Sequence, residues 1–415
     1  MESQALVQND AVVLGLLALI IGFVFYTQGS SHPFWRALYR FVPGLLLCFF
    51  LPSLLTTFGV VDPDRSQIYF VASRYLLPAT LVLITMTVDI KGILHLGYKA
   101  PLLFFTGALG IVLGGPLAVL LVGTVSPDTV GGDGPEAVWR GLATLAGTWI
   151  GGSGNQAALK EVFGVSDELF GQMVAVDVIG TNVWMAFMLY LAARADAIDA
   201  RTGADTTALG ELRRRVEMFR EQHARNLTTT DVILVMAVGF GVSGLSHAAG
   251  EWLAGWFSAS APGLARFNLT SSFFWVIIIA TTVGLFLSAT PVKDLEGAGA
   301  SRIGTGMLYI LIAAIGMGMD MSKIFANAGV FVIGAVWISF HGALTFAVAR
   351  LIKAPLFYAV VASQANIGGV ASTPVVASAF HPSLAPVGVA LAMLGYAIGT
   401  YGGWLTGLLL QAVAG

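Results

Sequence analysis

Of 415 residues, 56% are apolar and 11% are charged, against about 25% charged in an average soluble domain, and the formal net charge is -2. That balance excludes an ordinary cytoplasmic enzyme and most nucleic-acid binders; at about 20 residues per crossing it allows about a dozen membrane helices and no sizeable soluble domain. One cysteine, Cys48, excludes an intramolecular disulfide, and no Cys/His grouping has metal-ligand spacing.

Taken in chain order, MESQALVQND has no Lys or Arg before the first apolar run, so it lacks the basic region of a cleaved signal peptide and that run is read as a retained helix. Unbroken apolar windows fall near 10–26, 37–59, 69–88, 100–123, 168–192, 231–248, 271–289, 303–319, 328–349 and 384–411, which predicts an all-α polytopic membrane protein with about ten full crossings. Two further stretches, about 137–163 and 354–379, are interrupted halfway by Gly151, Gly152 and Gly154 and by Gly368 and Gly369. Such backbone is tolerated at membrane depth only where protein or a watery cavity satisfies its polar groups.

The long polar segment 193–230 carries Arg194, Arg201, Arg213, Arg214, Arg215, Arg220 and Arg225 and is expected in the cytoplasm. Both termini are then expected outside, and for 137–163 a re-entrant hairpin that returns to the same face is preferred to a crossing, which would put the arginines outside. Lys323 is the one basic residue this topology misplaces. LLPATLVLITMTVDIKGIL with Asp89 reads like MLYILIAAIGMGMDMSKIF with Asp320; Ile150-Gly151-Gly152 matches Ile367-Gly368-Gly369, and Ile179-Gly180-Thr181 matches Ile398-Gly399-Thr400. Order and parity predict two repeats, 1–192 and 231–415, inserted in opposite orientation, as in secondary transporters with a site at the repeat interface.

A helix broken at the midplane offers N–H groups that suit an anion and carbonyls that suit a cation. Ser153 or Asn155 is expected to cap the second half of the first broken segment; Ser372 or Thr373 that of the second, with Pro374 in its first turn. Around the breaks cluster Thr148, Ser153, Asn155 and Gln156, and Ser363, Gln364, Asn366, Ser372 and Thr373, hard neutral oxygens suited to sodium. Asp177 is the deepest acid; an ionised carboxylate there is expensive unless paired or functional. Thr181 lies one turn on, and Tyr396 and Tyr401 stand at the equivalent places of the second half, so the acid has no twin. Asp89 and Asp320 read as interfacial caps, Arg74 as snorkelling to the surface, Met317, Met319 and Met321 as packing, and His247 and His341 as hydrogen-bonded packing residues that could relay protons. Glu251, Trp252, Trp256 and Phe257 read as an interfacial turn.

With Gly151-Gly152-Ser153-Gly154 in the first dip, the halves resemble the Gly-Gly-x-Gly re-entrant loops of sodium-coupled glutamate and 2-hydroxycarboxylate symporters, a grouping that includes bile-acid symporters and sodium/proton antiporters. Over nearly its full length the chain resembles the bacterial domain-of-unknown-function 819 membrane family. The second copy departs, with Val370-Ala371 after Gly368-Gly369. The resemblance implies a scaffold, about 10–59 and 231–289, that dimerises, a core, about 69–192 and 303–411, that carries the dips, and elevator-type alternating access. The expected function is sodium-coupled symport of a small organic solute, a carboxylate-bearing one favoured, across the bacterial inner membrane. Ion binding is assigned to Asp177, Asn155, Gln156, Thr181, Gln364 and Asn366, and solute binding to Gly152, Ser153, Gly369, Ser372, Thr373 and Tyr396. No enzyme, cofactor or nucleic-acid partner is expected: no P-loop, H-E-x-x-H or nucleophile with a nearby base is visible. The alternative is a cation/proton antiporter in which Asp177 alternates between proton and sodium.

Overall fold

The apolar windows fold as helices, as hydrocarbon demands of backbone that crosses it. A computed structural model describes residues 6–88, 93, 97–204, 228–319, 327–381 and 384–414; within them there is no strand beyond an isolated bridge between Val7 and Val61. Asp89, Lys91, Asp320, Met321, Lys323, Arg213, Arg214, Arg215, Arg220 and Arg225 lie outside the described residues.

The first half comprises α1 (Asp10–Gln28), α2 (Pro33–Phe41), α3 (Gly44–Thr57), α4 (Ile68–Thr85, with a π-helical turn at Ala72–Leu76), α5 (Lys99–Val125), α6 (Val138–Gly151), α7 (Ser153–Phe163), α8 (Asp167–Ala192) and the short α9 (Ala195–Thr202). The second comprises α10 (Thr229–Ser260), α11 (Ser272–Leu287), α12 (Ala300–Gly318), α13 (Gly329–Leu351), α14 (Leu356–Ile367), α15 (Gly369–Phe380) and α16 (Ala385–Ala414). Among the described residues, eight helices are long and apolar enough to cross a bilayer, or up to ten spans if the bent pairs Pro33–Tyr39 with Gly44–Thr57 and Ser272–Leu287 with Pro291–Ala298 each count as one. The window at 37–59 is therefore not one straight helix. Pro43 ends α2 and serves as the N-cap of α3, because proline disfavours helical geometry in the residue before it.

Contacts between the halves recur in reciprocal pairs. α3 packs on α12 as α11 packs on α4; α6 packs on α16 as α14 packs on α8; α7 meets α16 as α15 meets α8; and α4 with α12, and α5 with α13, pair across the middle. The expected grouping put 69–88 and 303–319 with the broken segments. In the fold these helices pack mainly against each other, α3, α10 and α11. Hydrogen bonds fasten them there: Thr80 donates to the Gly304 carbonyl at 3.2 Å and Thr56 to that of Met317 at 2.5 Å. Helices α1, α3, α4, α10, α11 and α12 thus form a frame, and α5 to α8 with α13 to α16 form a second body.

After α8 the chain turns into α9, where the Asp199 carboxylate accepts the Leu356 N–H at 2.8 Å and so caps α14. Removing that cap with Asp199→Ala is expected to cost about 1 kcal/mol, measured as a lower thermal midpoint in detergent with unchanged helical content.

Candidate functional site

Each glycine-broken segment folds back on itself. In the first, the ring of Trp139 lies 5.6 Å from that of Phe163, the Arg140 guanidinium donates to the Phe163 carbonyl, and the Ser166 N–H reaches the Pro135 carbonyl at 3.2 Å. In the second, Phe357 and Phe380 are 5.3 Å apart at the open end. The arms of 14, 11, 12 and 12 residues are about 17–21 Å long, short of a hydrocarbon core of about 30 Å. They are helical hairpins, and glycine makes both turns: Gly152 has φ 79° and Gly369 φ 59°, where an L side chain is strained.

The tips meet. A Cβ built on Gly369 would lie 4.0 Å from the Gly152 Cα, and one on Gly152 would lie 3.1 Å from the Tyr396 ring. Two helix C-termini and two N-termini therefore converge, partial negative charge beside partial positive. The caps differ from expectation. Gly152 and Gly368 are the N-caps, with no side-chain cap bond, because each glycine turn lets the next helix start at once. Ser372 and Thr373 sit inside α15 instead. Ser372 donates to the Gly368 carbonyl at 2.9 Å and Thr373 to those of Gly369 at 2.5 Å and Gln364 at 3.1 Å, while Pro374 falls within the helix, past its first turn. Ser153 opens α7, half-buried.

Asp177 on α8 is 7% exposed and touches the first hairpin directly and the second through Thr181. It accepts from Trp149 Nε1 at 3.0 Å and Thr148 Oγ1 at 3.3 Å near the first tip, and from Thr181 Oγ1 at 3.1 Å, a hydroxyl also 3.2 Å from the Ile367 carbonyl at the second tip. Among the described residues no basic side chain pairs with it. The equivalent place in the second half is arranged differently: Thr400 Oγ1 donates to Asn155 Oδ1 at 2.5 Å, and Asn155 Nδ2 donates to the Gly151 carbonyl at 2.6 Å. Both polar atoms of the Asn155 amide are thus bonded, and the residue holds the first tip to α16.

The remaining amides are not so engaged. Gln156 is 2% exposed and Gln364 and Asn366 are 0% exposed, yet Gln156 Nε2, Gln364 Oε1 and both polar atoms of the Asn366 amide have no hydrogen-bond partner. Gln364 Nε2 donates to Ser372 Oγ at 2.7 Å, which turns its oxygen elsewhere. Beside Asn366, His341 Nδ1 lies 2.8 Å from the Gly107 carbonyl and Nε2 lies 2.8 Å from Ser363 Oγ. A carbonyl only accepts, so the proton is assigned to Nδ1 and Nε2 accepts from Ser363, which in turn takes Trp184 Nε1–H at 3.0 Å. His341 therefore stitches α13, α5 and the second hairpin together and is a packing residue here. Among the described residues, no group of three or more His, Cys, Asp or Glu could hold a metal ion.

Sequence reasoning singled out Asp177 but missed Trp149 as its partner, the Ile367 carbonyl as that of Thr181 and Thr400 as that of Asn155. Thr400 was accessible through its match to Thr181; the other two required the tertiary fold. Arg74, expected to snorkel, instead forms an ion pair with Glu161 at 3.0 Å, because the folded-back hairpin brings that carboxylate within reach.

A family model described as "Protein of unknown function (DUF819)" matches residues 15–413. The uncharacterized membrane protein YjcL of Bacillus subtilis (strain 168) is 22% identical over 382 residues, covering 88% of this chain and 89% of the relative.

Proposed function

The chain belongs to the DUF819 family, and from that premise we propose that this multi-pass membrane protein is a secondary active transporter, a sodium-coupled symporter of a small organic solute bearing a carboxylate. One observation carries the reading: Gln156, Gln364 and Asn366, buried near two touching hairpin tips, keep polar atoms without partners. A buried polar group left unsatisfied costs about 1–3 kcal/mol, and such groups recur where a ligand completes them. Neutral amide oxygens near the tips, and the Thr148 and Thr181 hydroxyls on the Asp177 carboxylate, suit sodium; helix N-termini at Gly152 and Gly369 suit a solute carboxylate.

In this reading Asp177, Thr181, Gln156, Gln364 and Asn366 form the ion site and Asn155 fixes its first wall. Gly152, Ser153, Gly369 and Tyr396 face the solute, with Ser372 and Thr373 shaping the second tip. The reciprocal helix contacts support two inverted repeats, with hairpins re-entering from opposite faces and the hairpin-bearing body moving as an elevator against the frame. The frame dimerises, residues 193–230 lie in the cytoplasm, and both termini face outward from the bacterial inner membrane. Proteoliposomes test this: sodium-driven accumulation of an organic acid supports it. Asp177 without a basic partner also favours a second reading, cation/proton antiport, for which sodium entry would only expel protons.

Asn366→Leu separates ligand binding from packing. Exchanging an unpartnered buried amide for an apolar side chain of similar size should change stability by less than about 1 kcal/mol. Sodium-dependent uptake should fall at least about tenfold, the loss of one charge-dipole ligand worth about 1.4 kcal/mol. Unchanged uptake would remove Asn366 from the site.

A further inference from the structure

At the open end of the first hairpin lies a second set of ionisable side chains, away from the tips. Lys160 Nζ is 2.8 Å from Asp167 Oδ1 and donates to the Tyr69 hydroxyl at 2.7 Å. That hydroxyl donates in turn to Glu161 Oε1, and Arg74 Nη2 is 3.0 Å from Glu161 Oε2. The side chains of Lys160 and Glu161 are 6% and 9% exposed, those of Arg74 and Asp167 32% and 41%. The network therefore runs from a shielded centre to an open rim.

Its two ends belong to different bodies. Tyr69 and Arg74 sit on frame helix α4, while Lys160 and Glu161 end α7 and Asp167 begins α8. The π-helical turn Ala72–Leu76 carries Arg74, whose carbonyl lies 2.8 Å from His247 Nε2 of α10 and whose guanidinium carbon is 4.1 Å from the Phe273 ring centroid of α11. Π-bulges of this kind interrupt the regular ladder and recur at functional sites. The turn after α10 adds a further tie, Asn268 Nδ2 donating to the Val162 carbonyl at 2.9 Å. One frame helix, α4, braced at Arg74 by α10 and α11, and one turn thus grip one end of one hairpin.

We propose that this network is a latch: it fastens the first hairpin to the frame and has to open before the hairpin-bearing body shifts, an inference that rests on the alternating-access reading above. Opening separates charges whose partners are each other rather than water, and a buried ion stripped of its partner is strongly unfavourable. Water reaching the rim groups Arg74 and Asp167 first would let the centre open in steps. The ionic hold described here is on the first hairpin.

Hydrogen exchange on the full chain in phosphatidylethanolamine/phosphatidylglycerol nanodiscs tests this, with Glu161→Gln keeping the shape and removing the charge. Exchange should accelerate about tenfold across 153–167 and 262–268, with 356–380 unchanged. Arg74→Gln/Glu161→Gln should be no faster than Glu161→Gln alone, since either change already breaks the pair. Unaltered exchange in 153–167, or equal acceleration in both hairpins, would overturn the latch. Should Glu161→Gln not fold, Tyr69→Phe, which deletes only a hydroxyl, decides by the same comparison with a smaller shift. The readout needs no transported solute: failed uptake with accelerated exchange rejects transport and keeps the restraint, and sodium-driven uptake with unaltered exchange does the reverse.

Discussion

Asp177→Asn should abolish sodium dependence and leave the fold intact. The carboxylate accepts from Trp149 Nε1 and Thr181 on one oxygen and from Thr148 on the other. An asparagine carbonyl can keep the first two donors, and its amide can donate to the Thr148 hydroxyl, which rotates to accept. Stability without ions should therefore change by no more than about 1 kcal/mol. What disappears is the negative charge, the one feature of the site with no counterpart at Tyr396. At a sodium concentration a hundred times Kd, the wild type should gain about 2.7 kcal/mol and the variant nothing, read as a sodium-dependent shift of the thermal midpoint. Full coupled transport by Asp177→Asn would remove this residue from the mechanism.

Gly151→Ala should be among the most damaging single changes available. A Cβ there would lie 2.4 Å from the Gly395 carbonyl oxygen and 2.7 Å from the Gly399 Cα. Both obstacles are backbone, so no rotamer relieves them and α6 has to move off α16. Overpacking of this kind costs about 3 kcal/mol, and here it also displaces the first tip. We expect loss of monodisperse protein, or a midpoint lowered by several degrees together with lost ligand response. Gly154→Ala is the control. Its Cβ would meet only side-chain carbons at 3.7 and 3.8 Å, so it should be tolerated and gain up to about 1 kcal/mol from helix propensity. Equal behaviour of the two variants would mean that the α6–α16 approach is looser than described.

The amide cluster illustrates what a linear reading reaches. Gln156, Gln364 and Asn366 are conspicuous in sequence as polar residues in apolar surroundings beside glycines, yet Asn155 looks the same there. Only packing separates them: Asn155 is engaged by Thr400 and Gly151, and the other three keep polar atoms free of partners. Ser372 and Thr373 read as caps by composition, but a glycine that accepts positive φ lets the helix begin earlier, and the hydroxyls bond back to the turn. Lys160 and Glu161 attract no notice in sequence, because adjacent opposite charges at the end of an apolar run are ordinary. Their importance arises from α4, about 90 residues away in the chain.

Hydropathy and glycine placement by themselves determined most of the helices, the glycine breaks, the burial of Asp177 and the matching order of the two halves, since partition into hydrocarbon and backbone freedom are properties of each residue and its immediate neighbours. The charge pattern of the loops already called for the first broken segment to fold back; which side chains meet at the tips, that α4 and α12 side with the frame and that Arg74 is paired were decided only by the tertiary structure. Each depends on directional contacts between distant segments, and a sum over side chains carries no direction.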